Sequence, residues 1–94
     1  MIIYISGSIS NCIDTYKSKF EKAKMFYEGQ GHIVINPAVL PVGLDKSRYM
    51  PVCFAMIDSA DAISMIGDDW QNSKGAVLEK LYAEYQGKKV IYLQ

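Results

Sequence analysis

One histidine, one tryptophan, two cysteines and three prolines among 94 residues leave little material for several kinds of chemistry. The lone imidazole, His32, stands at a strand start, away from the loops, and reads as structural. The thiols of Cys12 and Cys53 lack metal-ligand spacing, so neither a metal site nor a Cys–His dyad is expected. Both read as reduced thiols of a cytoplasmic protein. Net charge is also missing, with ten basic residues against ten acidic. Lys88-Lys89 is only a local pair, and without a basic stripe a nucleic-acid polymer is not an expected partner. No apolar run approaches the length of a bilayer span, and no charged segment precedes the first strand, so neither membrane insertion nor a secretory leader is expected. With no repeat and no linker, residues 1–94 read as a single domain.

What is present is apolar and ring-rich: half the residues are hydrophobic and 12% aromatic. Seven tyrosines against three phenylalanines suggest rings half-buried with their hydroxyls wet, some in a pocket or a subunit contact. Ile2-Ile3-Tyr4-Ile5 is a continuous β-branched run, as in a strand covered on both faces. A helix starts near Asp14 or Thr15, with Tyr16, Phe20, Ala23 and Tyr27 on one side. His32-Ile33-Val34-Ile35 reads as a second buried strand, closed by Asn36-Pro37. Residues 36–47 form the longest irregular stretch. A second helix is expected over about Tyr49 to Ser59, which puts Pro51 in its first turn. Ala62 to Ile66 is a third strand, followed by a polar loop with Trp70. Ser73 caps a third helix running to about Gln86, with Leu78, Leu81, Tyr82 and Tyr85 on its apolar face. Val90 to Leu93 is the last strand. This order predicts an α/β fold: a small open parallel sheet of about four strands, helices on both faces, of flavodoxin/Rossmann-like type. So small an open sheet would cover its edges by homo-oligomerisation.

In such sheets ligands sit beyond the carboxyl ends of the strands, where the strand order reverses. That nominates Ser6, Gly7, Ser8 and Ile9, then Asn36, then the stretch from Gly67 to Gly75. Gly7-Ser8-Ile9 offers backbone N–H groups to a phosphate or sugar hydroxyl. It lacks the G-x-G-x-x-G pattern, so neither a dinucleotide nor any other cofactor is expected. Glu79 has Gly75, Ala76, Tyr82 and Ala83 three and four positions away, none of them a cation. It is either a solvated glutamate or a carboxylate kept for chemistry, beside small residues that admit a ligand. Tyr4 lies in an otherwise aliphatic strand, with its hydroxyl near the sheet's carboxyl end and in reach of a carboxylate. Asp68, Asp69 and Trp70 offer a proton donor and a ring to stack on a base, or simply an acidic turn anchored by its tryptophan. Ser73 serves as cap, and as a possible phosphate or hydroxyl ligand.

Tyr4-Ile5-Ser6-Gly7-Ser8-Ile9, Ala60-Asp61 and Ser73-x-Gly75-Ala76-x-x-Glu79 together resemble the nucleoside 2-deoxyribosyltransferase superfamily. That group includes the 2′-deoxynucleoside 5′-monophosphate N-hydrolases, whose first loop also reads Gly-Ser-Ile. In its order of Tyr4–Gly7, Val34–Ala38 and Trp70–Glu79 the chain is most similar to short, often phage- or prophage-borne members of unassigned function. The resemblance implies that Glu79 attacks C1′ of a deoxyribosyl group, expelling the base and forming a glycosyl-enzyme that water or a second base resolves. It implies that Tyr4 orients the carboxylate, and that the first loop and Ser73 hold the sugar or 5′-phosphate. The partner would be a nucleoside or nucleotide, with a neighbouring subunit completing the site. One feature departs from the family: the helix before the third strand carries an aspartate that protonates the leaving base, whereas Met50-Pro51-Val52-Cys53-Phe54 holds no acid. Asp58 lies near the far end of that helix, and Asp69 is the better substitute by location. The alternative expectation is a non-catalytic binder of a nucleotide-like ligand, a sensor or sequestering protein.

Overall fold

The computed structural model describes residues 1–9 and 15–94. Cys12 and the candidate cap Asp14 lie outside the described residues. Strand β1 is Ile2–Ser6, helix α1 Tyr16–Glu28, β2 Ile33–Ile35, α2 Lys46–Asp58, β3 Ala62–Ile66, α3 Lys74–Tyr85 and β4 Lys89–Leu93. Short 3-10 turns cover Pro37–Val39 and Trp70–Asn72. The four strands form one sheet in the order β2-β1-β3-β4, every pair parallel. The chain leaves β1 towards β2 and leaves β3 towards β4, so the order reverses between β1 and β3.

Alternation along the strands divides the core in two. Ile3 and Ile5 of β1, with Ala62 and Ile66 of β3, pack under α1 against Tyr16, Phe20, Ala23 and Tyr27. Tyr4, Ile63 and Met65 point the other way, towards Cys53 and Ile57 of α2 and Ala76 and Ala83 of α3. Ser64 is a fully buried polar residue in mid-strand, and it tolerates burial because its Oγ lies 2.7 Å from the Tyr27 hydroxyl. At the opposite end of the sheet from the β1 loop, Asp61 accepts a hydrogen bond from the Ile2 N–H at 2.8 Å. His32 is likewise remote from the loops, with Nδ1 3.0 Å from the N-terminal amine.

Three expectations need correction. Strand β2 is a sheet edge and not a buried strand: it pairs only with β1, and Ile33 is 65% exposed. Helix α2 begins three residues before Tyr49, because Asp45 caps it by accepting from the Arg48 N–H at 3.2 Å. Pro51 therefore sits in the second turn, and the donor its ring lacks is the one that would reach the exposed Ser47 carbonyl. Helix α3 does end before Gln86 and is capped by Ser73, whose Oγ accepts from the Ala76 N–H at 3.2 Å. Its buried face, however, is Ala76, Glu79 and Ala83, while Leu78, Leu81 and Tyr85 are exposed. Small side chains let α3 lie close on the sheet, and that close approach outweighs the larger apolar area of the leucine side.

The β1 loop is pressed against β3. A Cβ on Gly7 would lie 2.8 Å from Ile66 Cγ1 and 3.2 Å from the Ile66 carbonyl oxygen. Gly7→Ala is expected to destabilise the fold by about 1–3 kcal/mol, as other overpacked sites do. Urea denaturation checks this, and an unchanged midpoint would show that the loop yields freely.

Candidate active site

Beyond the carboxyl ends of β1 and β3, a cavity of about 760 Å³ opens between the β1 loop, the residue 37–46 stretch and the start of α3. Gly7 and Ile9 form one wall, Leu40 to Leu44 a second, and Asn72 to Ala76 a third. Glu79 lies on its floor and is only 5% exposed. Ser6 ends β1 facing the α3 side, and its Oγ donates to Glu79 Oε1 at 2.7 Å. Tyr4, two residues earlier on the same face, donates its hydroxyl to Glu79 Oε2 at 3.1 Å. Period-two alternation thus puts both donors under one helix, and each carboxylate oxygen has its own partner.

No cation accompanies this buried carboxylate in the hydrogen bonds and ion pairs of the described residues. Burial pushes the Glu79 pKa up, and the hydrogen bonds from Ser6, Tyr4 and the Cys53 thiol offset only part of that rise. Cys53, fully buried on α2, has its thiol pKa raised to about 11 by burial and then by the charge of Glu79. Tyr4 is held protonated by burial and by the same charge, so it remains a donor.

The structure brings Tyr4, Ser6 and Glu79 into one cluster, with Gly7, Ile9, Ser73 and Gly75 on the cavity around it. A Cβ on Gly75 would meet only Ser73 Oγ, at 4.0 Å, so this wall is open to a ligand. Ser8 is fully buried behind the loop. Asn36, Asp69 and Trp70 are not among the cavity-lining residues. Asn36 Oδ1 caps the 3-10 turn through the Ala38 N–H at 2.9 Å. Asp69 is paired with Lys19 at 3.1 Å, on the α1 side. Trp70 packs against Tyr92 at 5.9 Å between ring centroids. Asp58, at the end of α2, accepts from the Tyr82 hydroxyl at 2.8 Å.

The cavity also contains residues that sequence reasoning left out: Tyr16, Lys46, Tyr49 and Lys74. Tyr49 and Cys53 are four apart on α2 and so share a face. That spacing is the available signal, since the expected helix over Tyr49 to Ser59 already contains both residues.

The architecture is that of the nucleoside 2-deoxyribosyltransferase-like fold. The structure of the Clostridium botulinum CMP N-glycosidase BcmB matches with a TM-score of 0.70 and 21% identity, over 99% of this chain and 71% of that one. A 2-deoxyribosyltransferase from Leishmania mexicana matches with a TM-score of 0.76 and 19% identity, over 97% of this chain and 62% of that one. At these identities the likeness is one of fold. Residues 1–92 match the family model DUF4406, a domain of unknown function, and the chain belongs to that family. No curated protein matches it in sequence.

The raised Glu79 pKa has a consequence for stability. Between the ordinary glutamate range, about 4.3, and Glu79's higher value, the folded chain keeps a proton that the unfolded chain has released. Stability contributed by that proton is present at low pH and is lost as pH rises through this window. Glu79→Gln removes the loss. Its melting temperature should exceed that of the wild type at neutral pH, and the two should converge towards about pH 4. Melting curves that stay parallel across this range would contradict the assignment.

Proposed function

We propose that this protein cleaves or transfers the N-glycosidic bond of a 2′-deoxynucleoside or its 5′-monophosphate, with Glu79 as nucleophile. The observation that carries this is a buried carboxylate without a cation, on a cavity floor, with each oxygen held by a hydroxyl. Such a group costs stability wherever it serves no purpose. Held this way it has one face towards the cavity, from which an oxygen can reach C1′ of a bound sugar. The base then leaves with the bonding pair, and water or a second base displaces the carboxylate. The fold shared with an N-glycosidase and a deoxyribosyltransferase supports the reading. Tyr4 and Ser6 orient the carboxylate, while Gly7, Ile9, Ser73 and Gly75 surround the sugar or its phosphate; the buried Ser8 does not line the cavity. Lys46 and Lys74, at the first positions of α2 and α3, give the cavity the positive charge that a 5′-phosphate requires.

Incubation with deoxynucleosides and their monophosphates, followed by chromatography for free base, tests this. Wild type should release base and Glu79→Gln should not; equal release by both would remove Glu79 from the chemistry. Because Glu79 must be ionised to attack, the acid limb of kcat/KM should fall above the ordinary carboxylate range. Ser6→Ala should move that limb to still higher pH, and Tyr4→Phe should move it less, in the order of their hydrogen-bond effects.

A second reading, a non-catalytic binder of a nucleotide-like ligand, is favoured by one observation: Glu79 is the only carboxylate lining the cavity among the described residues. It predicts ligand-raised melting temperatures without turnover. In either reading we infer that a second copy covers Leu78, Leu81 and Tyr85. These form one exposed apolar stripe on α3, and Leu78 continues it into the cavity wall. Sedimentation equilibrium should show a dimer or larger species that Leu81→Lys dissociates, and a wild-type monomer at high concentration would refute it.

A further inference from the structure

A departing base carries the electron pair of the broken C1′–N bond and leaves faster when a proton meets it. Among the described residues no second carboxylate lines the cavity to supply one, and Asp69 is held by Lys19 on the α1 side. The remaining proton-bearing side chains on the wall differ in what they can do. Ser73 Oγ is turned to the Ala76 N–H as a cap. Lys46 and Lys74 are exposed at helix starts. Tyr16 is buried edge-on against Phe20, their centroids 6.2 Å apart. Tyr49 is half-buried in the first turn of α2, packed against the cluster that holds Tyr4 and Cys53, and faces the cavity that contains Glu79.

We propose that Tyr49 is the catalytic proton donor to the leaving base, an assignment that rests on the glycosyl-transfer reading above. As a Glu79 oxygen bonds to C1′, the C1′–N bond breaks and its electron pair goes to the base. The Tyr49 O–H bond breaks with it, the proton joining the base and leaving a phenolate. In the second half, water attacks C1′, the C1′–Glu79 bond breaks, and the proton released by the water returns to Tyr49. The sum is nucleoside plus water giving free sugar plus neutral free base, with Glu79 and Tyr49 restored.

Two properties suit Tyr49 to this step. Its neighbour one turn along α2 is the Cys53 thiol, a weak acceptor, so a nitrogen or oxygen of the base competes for the hydroxyl proton at little cost. Burial is the main cause that holds its proton on and it opposes donation, but the charge of Glu79 contributes too. Attack on C1′ consumes the Glu79 charge, so one of these restraints falls away as the proton is needed.

The test compares wild type, Tyr49→Phe and Tyr16→Phe on two kinds of substrate: a panel of deoxynucleosides and their monophosphates, and 4-nitrophenyl 2-deoxyribofuranoside, whose phenolate leaves without a proton. Tyr49→Phe should lower kcat/KM on the panel members that the wild type cleaves by about 10²–10⁴-fold and on the nitrophenyl compound far less, while melting near the wild-type temperature. Equal losses on both substrates, or a substrate-selective loss in Tyr16→Phe alone, would overturn the assignment. Wild-type turnover of the nitrophenyl compound only would leave Glu79 as nucleophile and remove Tyr49 as acid. No turnover of either substrate would end the glycosyl-transfer reading itself, and the Tyr49 assignment with it.

Discussion

An ionisable carboxylate buried between an apolar sheet and a cavity floor sets the terms for the rest of this structure. Among the described residues Glu79 has no ion-pair partner to offset its desolvation, so its burial depends on donors delivered at the right height and side. Ser6 and Tyr4 deliver them because β1 is a flat run whose even positions face α3, and because β1 ends where the cavity begins. Helix α3 must in turn lie near enough to the sheet for a short glutamate side chain to reach β1. Ala76 and Ala83, bracketing Glu79 by three and four residues, make that approach. The apolar stripe left outside on α3 is the other side of the same arrangement.

The strand-order reversal between β1 and β3 supplies the space. Neighbouring crossovers leave for opposite edges at this point, so no connection fills the gap above the strand ends. Gly7 keeps the β1 loop against Ile66, and the open wall beside Gly75 keeps the helix start accessible. The two lysines that begin α2 and α3 border the same space, so the residues that start the helices also set the charge at the cavity mouth.

Much of this was legible from residue order. The β-branched runs of β1 and β3 and the periodicity of α1 are strong signals because burial on both faces, or along one stripe, permits few other residues. Tyr4, Ser6, Gly7 and Glu79 were legible as misfits: a phenol among aliphatics, small residues at a strand end, a carboxylate without an ion partner. The orientation of α3 was not legible, because counting apolar residues ranks Leu78 and Leu81 above alanines whose value is closeness. The start of α2 was misread for a related reason. Pro51 is a strong local signal, but Asp45 and the tertiary packing of Tyr49, Cys53 and Ile57 hold a helix through it. Asp69 and Trp70 sit in the expected loop, yet a loop position does not specify which way a side chain turns.

The thiol at Cys53 bears on why Glu79 can ionise at all. A carboxyl group in that place would press a second negative charge against the first, and paired carboxylates hold a shared proton because both cannot ionise together. Cys53, its pKa raised to about 11, stays neutral and still offers the carboxylate a weak hydrogen bond. The cluster therefore contains one group that gives up its proton above the ordinary glutamate range, held by two hydroxyls and a thiol that keep theirs. A nucleophile needs that asymmetry, because the attacking oxygen must hold its charge until it is given to carbon. An acid placed further away, on the α2 turn that faces the cavity, avoids the conflict: it feels the charge of Glu79 without sharing its proton, and it loosens as that charge is consumed.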